Sequence, residues 1–303
     1  MHAGASLAAA RPSWLSRQVT AFGLPFLSCC CIVYFAQGFR SLASLACQLF
    51  LKDTLQLEAS TIQNLLAVSA LPWSLKPLYG VVSDAYPICG LHRKPYLVVG
   101  AFLGVVAWVG LAGTASAGAT DLTLLLVLLL CSNLSTALSD VIVDAMVAER
   151  CGEAAREEAA NGGGGGGGGG EAASGTEGEN ALQTLCWGSL AVGGLLGSTI
   201  GMIASDAPPA IVFLLTATCP ALVLLAAAAL AERRAIDAAA PAGVGAQLQA
   251  LWGALRLPAV WKPLLFFFLQ NALVPSCGQA TLSSRTRPNA RFLTSAAPRA
   301  ARR

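Results

Sequence analysis

LPWSLKPLYGVVSDAYPICGLHRKPY, residues Leu71–Tyr96, decides how the rest of the chain is read. It opens in apolar sequence, crosses a Gly80-x-x-x-Asp84 step and turns through Pro87 and Gly90. It then sets down His92-Arg93-Lys94 before Pro95 leads back into apolar sequence. Gly and Pro punctuate a turn, and basic residues in a short loop between apolar runs mark its cytoplasmic side. The stretch therefore reads as the loop between two membrane spans.

Composition agrees. The 303 residues are 55% hydrophobic and 12% charged, with mean hydropathy +0.63. A soluble domain carries roughly 25% charged residues, so half that figure predicts a membrane protein. The net charge of +3 is too small and too scattered for a nucleic-acid partner. The ten cysteines form no C-x-x-C pair, and Cys29, Cys30, Cys31, Cys47, Cys131, Cys186 and Cys219 lie in apolar runs as small hydrophobes. With His2 and His92 the only histidines, no metal site and no cofactor are expected.

Six apolar segments reach the roughly 20 residues a helical span needs: Leu24–Leu51, Ile62–Val82, Tyr96–Ala117, Leu122–Val147, Leu182–Ala204 and Ala210–Ala231. Lys52 is the one basic residue in the loops on one side; the other side holds Arg11, Arg17, Arg93, Lys94, Arg150, Arg156, Arg233, Arg234 and Arg256. That bias predicts a cytoplasmic amino terminus and an even number of spans before Arg233. Residues 1–23 read as a cytoplasmic segment, basic and acid-free like an organelle transit peptide or like any positive flank. Residues 149–181 are Glu-rich and contain the glycine run Gly162–Gly170, which predicts a disordered cytoplasmic insertion. The run lacks the Lys-Ser/Thr of a phosphate loop, and no nucleophile–base pair is visible, so an enzyme is the weakest reading. Residues 232–262 read as a cytoplasmic link, and 263–274 as a seventh span too short to cross. The basic tail, 275–303, reads as disordered sequence or as the product of a truncated or misjoined gene model.

Four passages resemble the folate–biopterin transporter family of the major facilitator superfamily. They are Tyr34-Phe35-Ala36-Gln37-Gly38 with Phe50-Leu51-Lys52-Asp53, the opening stretch, Ser139-Asp140-Val141-Ile142-Val143-Asp144 through Arg150, and Leu182-Gln183-Thr184-Leu185-Cys186-Trp187-Gly188 through Gly194. Pro258-Ala259-Val260-Trp261-Lys262-Pro263 is similar to the start of the family's second half, and the likeness is expected to stop after Asn271. The resemblance implies an all-α polytopic membrane protein: six transmembrane helices as two three-helix repeats, the amino-terminal half of a facilitator, plus an incomplete seventh span. It further implies proton-coupled movement of folates or pterins across a plasma membrane or a plastid envelope, with the substrate between two halves. Two rivals stand beside it: a facilitator for another organic anion, and a truncated non-transporting protein that pairs with a full-length relative or with itself.

Polar residues inside the spans supply the site. Gln37, Arg40, Ser44 and Gln48 recur at steps of three and four, so they share a helix face. An Arg at bilayer depth costs at least about 2.5 kcal/mol unless it faces protein or water, so Arg40 is expected to point into a cavity. There it either holds a substrate carboxylate or pairs with Asp140 or Asp144. Asn133, Thr136, Asp140 and Asp144 share a face of span four. Asp140 reads as the deeper, proton- or substrate-linked acid; Asp144 either shares that role or braces the fold against Arg150 or Arg93. Pro72 and Pro77 are expected to bend span two around Lys76, which either adds positive charge for an anion or snorkels outward. Gly80, Asp84, Arg93 and Lys94 read as a cytoplasmic gate that the resemblance closes on the other half, which leaves it nothing to close on here. Gly193, Gly197 and Gly201 form a small-xxx-small packing row on span five.

Overall fold

The structure is a computed structural model that describes residues 13–118, 121–160, 170–232 and 244–273. Among the described residues the regular structure is helical. The chain divides into two units, residues 1–247 and 248–303.

The first unit opens with α1 (Trp14–Phe22), whose Ser13 side chain accepts a hydrogen bond from the Ser16 amide at 3.2 Å. Six spans long and apolar enough to cross a membrane follow: Leu24–Thr54, Ala59–Ala85, Lys94–Ala117, Leu122–Ala154, Asn180–Ile203 and Pro209–Ala229. The first two are interrupted. Span one is α2 (Leu24–Phe39), α3 (Ser41–Leu49) and a π-turn at Phe50–Thr54, with Arg40 at the α2–α3 junction. Span two breaks at Ala70 and Leu75 into α4 (Ala59–Ser69), α5 (Leu71–Ser74) and α6 (Lys76–Ala85). Pro72 and Pro77 sit at the starts of α5 and α6, where their missing amides force the breaks. Tyr79 uses one loosened carbonyl: its hydroxyl donates to the Pro72 oxygen at 3.0 Å.

The other spans are capped by their sequence. α7 (Lys94–Ala117) has Pro95 in its first turn and ends at Gly118, φ +63°, the left-handed cap that favours glycine. The Asp121 side chain accepts from the Thr123 amide at 2.9 Å and so starts α8 (Leu122–Ala160). α9 covers Gly170–Ile203, and α10 (Pro209–Ala229) carries Pro220 in its interior. Between spans two and three, Ile88 and Leu91 exchange backbone hydrogen bonds of 2.9 and 3.0 Å across Cys89 and Gly90, both at positive φ, as in a tight hairpin turn.

One apolar cluster joins α2, α7, α8, α9 and α10 through residues such as Cys30, Leu97, Val143, Leu182 and Val223. A second joins span one's outer half to spans two, three, four and six; there Phe213 meets Phe50 edge-on and Trp108 at a tilt, both at 6.0 Å between ring centroids.

Two expectations are corrected. Residues 149–160 and 170–181, read as disordered, are helical: α8 continues to Ala160 and α9 starts at Gly170. Ala, Glu and Arg are strong helix formers, and an existing span supplies the nucleus that an isolated segment lacks. The run 161–169 lies outside the described residues, as do the tail from 274 onward and residues 1–12. The stretch read as a cytoplasmic link contains α11 (Val244–Leu255). In the second unit, α12 (Pro258–Leu273) is a 16-residue helix that begins before the expected start of the seventh span.

Candidate functional site

Arg40 lies where span one changes from α2 to α3, and its side chain crosses to α8. Nη1 donates to Thr136 Oγ1 and Nη2 to Asn133 Oδ1, both at 3.0 Å. Asn133 is fixed in turn by its own amide, which donates to the Leu129 carbonyl at 3.0 Å. Its oxygen also accepts from Trp73 Nε1 at 3.0 Å, so α5 and α2–α3 meet at one side-chain amide. Among the described residues no carboxylate stands within ion-pairing distance of Arg40. Its partners are neutral, which sets aside pairing with Asp140 or Asp144.

Those two acids have different partners. Asp140 is buried and forms an ion pair and hydrogen bond with Lys76, whose ammonium sits 4.5 Å from the centre of the Trp73 ring. Lys76 therefore turns inward; the outward reading fails because the break at Leu75 aims α6 so that its first residue meets α8. Asp144 is exposed, and the Tyr34 hydroxyl donates to its Oδ1. Arg150, one candidate brace for Asp144, lies 5.4 Å from the Phe26 ring instead.

Gln37, Arg40, Trp108, Ser135, Thr136 and Asp140 line a cavity of about 40 Å³, with Pro220 of α10 on its far wall. A buried water needs roughly 10–15 Å³ of such space, so the cavity holds about three waters or one carboxylate-sized group. The Gln37 Oε1 atom is buried and accepts no hydrogen bond among the described residues. Of the expected face, Gln37 and Arg40 reach the cavity; Ser44 is exposed and, like Gln48, is not in its lining.

The loop side is built differently. Arg93 is buried; its guanidinium donates to Glu149 Oε1 from Nε at 3.1 Å and to Ser83 Oγ at 2.7 Å, and Nη2 lies 2.6 Å from Asp84 Oδ1. Burial works to lower its pKa, but the Glu149 and Asp84 carboxylates outweigh burial and hold the guanidinium above its ordinary value. The acid at the carboxyl end of α6, unfavourable to the helix dipole, is thus answered inside this chain. Glu232, just after span six, accepts from the His92 and Arg93 amides at 2.8 Å each and from the Lys94 amide at 2.6 Å. Lys94 Nζ returns the contact, donating to the Ala228 and Leu230 carbonyls at 2.9 and 2.8 Å. Each helix end caps the other's orphan backbone groups. Within this chain Arg93 is thus answered by Ser83, Asp84 and Glu149, and Lys94 by the end of span six. Gly80 makes only ordinary contact with Val141.

Gly193 packs backbone to backbone. A Cβ there would overlap the Phe35 carbonyl oxygen and lie 3.1 Å from the Phe39 amide nitrogen. Gly197 and Gly201 continue the approach of α9 toward Phe39 and Leu42, and Ser41 Oγ donates to the Gly194 carbonyl at 3.1 Å. The row presses α9 against the residues flanking Arg40.

Trp73, Tyr34, Glu149 and Glu232 escaped the sequence reading as site residues. Each is quoted or counted there, but only the fold shows what it touches. A lone acid just beyond span six was the available signal for Glu232.

Comparison with known proteins decides the family: residues 37–163 and 171–283 match the model described as the BT1 family. The chain belongs to the BT1 family. The match runs past Asn271, where the motif likeness was expected to stop. Among similar proteins, "Probable folate-biopterin transporter 4" of Arabidopsis thaliana is 39% identical over 220 residues, covering 72% of this chain. "Folate-biopterin transporter" of Synechocystis sp. is 34% identical over 249 residues, covering 82% of it. "Probable folate-biopterin transporter 8, chloroplastic", also of Arabidopsis thaliana, is 30% identical over 253 residues, 81% of the chain. The chain spans less than half the length of these relatives: 40%, 45% and 42%. No solved structure matches it. Six apolar helical spans in a BT1-family chain make this an integral, multi-pass membrane protein.

Proposed function

We propose that this chain forms the six-span body, arranged as two three-helix repeats, of a transporter that moves folate- or pterin-type organic anions together with protons. The observation that carries the reading is Arg40: a cation at mid-span, lining a cavity and held by neutral groups, in a family whose similar members are named folate-biopterin transporters. A guanidinium has five donors; two are engaged by Thr136 and Asn133, which leaves three for a carboxylate.

Proton coupling rests on Asp140, the acid that lines the same cavity. Lys76 faces it from α6, Arg40 from span one, Tyr34 from α2, Asp144 from its own helix and Cys186 from α9. α7 carries no titratable side chain between Tyr96 and Ala117. A proton on Asp140 leaves Lys76 and Arg40 with an excess of positive charge that an incoming anion neutralises.

The test is uptake of labelled folic acid into liposomes containing the purified protein, under an imposed pH gradient. Gradient-driven uptake is expected, with loss of at least tenfold in Arg40→Ala and loss of the gradient dependence in Asp140→Asn. Uptake indifferent to both substitutions sinks the reading. Competition by unrelated organic anions separates the broader anion carrier from the pterin-selective one. Crosslinking in the membrane reads whether a second copy stands across the cavity, the arrangement in which two six-span bodies enclose substrate.

A further inference from the structure

Trp73 touches the environment of both cations. Its indole N–H donates to the Asn133 oxygen that holds Arg40, and its ring face carries the Lys76 ammonium. Trp73 thus touches Lys76 directly and reaches Arg40, on a different span, through Asn133. Among the described residues Arg40 has no counter-charge; Lys76 has one, Asp140, whose carboxylate also lines the cavity. The protein thus presents one cation with donors to spare and a second whose place is held by an internal carboxylate. The cavity beside them has room for a carboxylate but not for a fused ring.

We propose that Arg40 and Lys76, linked through Trp73 and Asn133, form a two-point cradle for a dicarboxylate, and that Asp140 stands in for the ligand's second carboxylate until the ligand replaces it at Lys76. The inference rests on the anion-transport reading and narrows it: the cradle grips the dicarboxylate end of a folate-type molecule, and the pterin ring lies outside it. Arg40 takes one carboxylate by bidentate hydrogen bonding. Lys76, a point charge held over an indole face, exchanges one carboxylate for another without moving. Trp73 is a positioning residue, since its effect on the ligand runs through both cations.

Equilibrium binding to the purified full chain in detergent tests this with four probes: folic acid with its two glutamyl carboxylates, pteroic acid with one carboxylate, biopterin with none, and glutarate, a dicarboxylate without a ring. The wild type is expected to bind folic acid at least tenfold more tightly than pteroic acid and to bind glutarate measurably. Lys76→Ala brings the folic-to-pteroic ratio near one; Lys76→Arg restores the preference. Trp73→Phe keeps the ring and loses the indole donor, and lowers the ratio part-way. A merely structural role for Trp73 would shift thermal stability and leave the ratio alone. A ratio unchanged in Lys76→Ala overturns the cradle while leaving anion transport standing. Glutarate binding without folic acid binding keeps the cradle and overturns the folate reading. Absence of binding by both dicarboxylates overturns the cradle.

Discussion

The loop-side clamp and the mid-span cavity use the same residue types to opposite ends. In the clamp, Arg93 meets Ser83, Asp84 and Glu149, while Glu232 takes three backbone amides and Lys94 two carbonyls. Charge is over-answered there, and four spans are tied at one end. In the cavity, among the described residues, Arg40 has only neutral partners, the Gln37 oxygen has none, and Lys76 shares its carboxylate with the cavity wall. A fully satisfied network rigidifies; a partly satisfied one keeps valences for something else. The two regions thus divide by whether charge is answered by charge: Asp84 Oδ1 of the clamp, like Gln37 Oε1, accepts no hydrogen bond among the described residues, but it is ion-paired with Arg93.

That division breaks if clamp variants change ligand affinity or cavity variants mainly change stability. The largest effect is expected at the α9 seam that flanks Arg40. Gly193→Leu forces side-chain atoms into the Phe35 backbone and should cost about 3 kcal/mol, read as a lower thermal unfolding temperature and loss of monodisperse protein. Glu232→Ala uncaps the start of α7, with an expected loss of about 2 kcal/mol, while folic acid affinity stays within about twofold. An affinity drop there would show that the clamp reaches the cavity. Asn133→Ala removes the acceptor shared by Arg40 and Trp73, and affinity should fall about tenfold, or about 1.4 kcal/mol, with a smaller change in unfolding. Gln37→Leu is the smallest: deleting a buried, unbonded carbonyl should leave stability unchanged or raise it by about 1 kcal/mol. A fall in folic acid affinity with unchanged stability would place Gln37 among the ligand's partners.

Span positions were legible because roughly 20 apolar residues are needed to cross a bilayer, and the breaks in span two because Pro72 and Pro77 lack amides. Gly193, Gly197 and Gly201 were legible as a packing row because their spacing puts them on one face. The helical flanks of the glycine run were not, since composition there points to solvent and helix alike. Nor was Lys76: a Lys between two prolines can turn either way, and the break at Leu75 decides it. Arg40 was readable as cavity-facing from the cost of leaving it in lipid, whereas its neutral partners were not, because four polar residues on one face of span four compete for it.

By itself, then, the sequence determined the number and approximate extent of the spans, the proline breaks of span two, the cavity-facing side of Gln37 and Arg40, and through its motifs the likeness to a transporter family. These follow from local rules of hydropathy, periodicity and proline stereochemistry. Only the tertiary structure decided which donor meets which acid: Lys76 with Asp140, the Tyr34 hydroxyl with Asp144, Arg93 with Glu149, and the backbone amides at the start of α7 with Glu232. Helical spacing fixes the side of a helix on which a residue stands, but its neighbour across the gap depends on how far each helix turns and slides against the next. Here the close backbone contact at Gly193 and the breaks at Arg40 and Leu75 set that rotation.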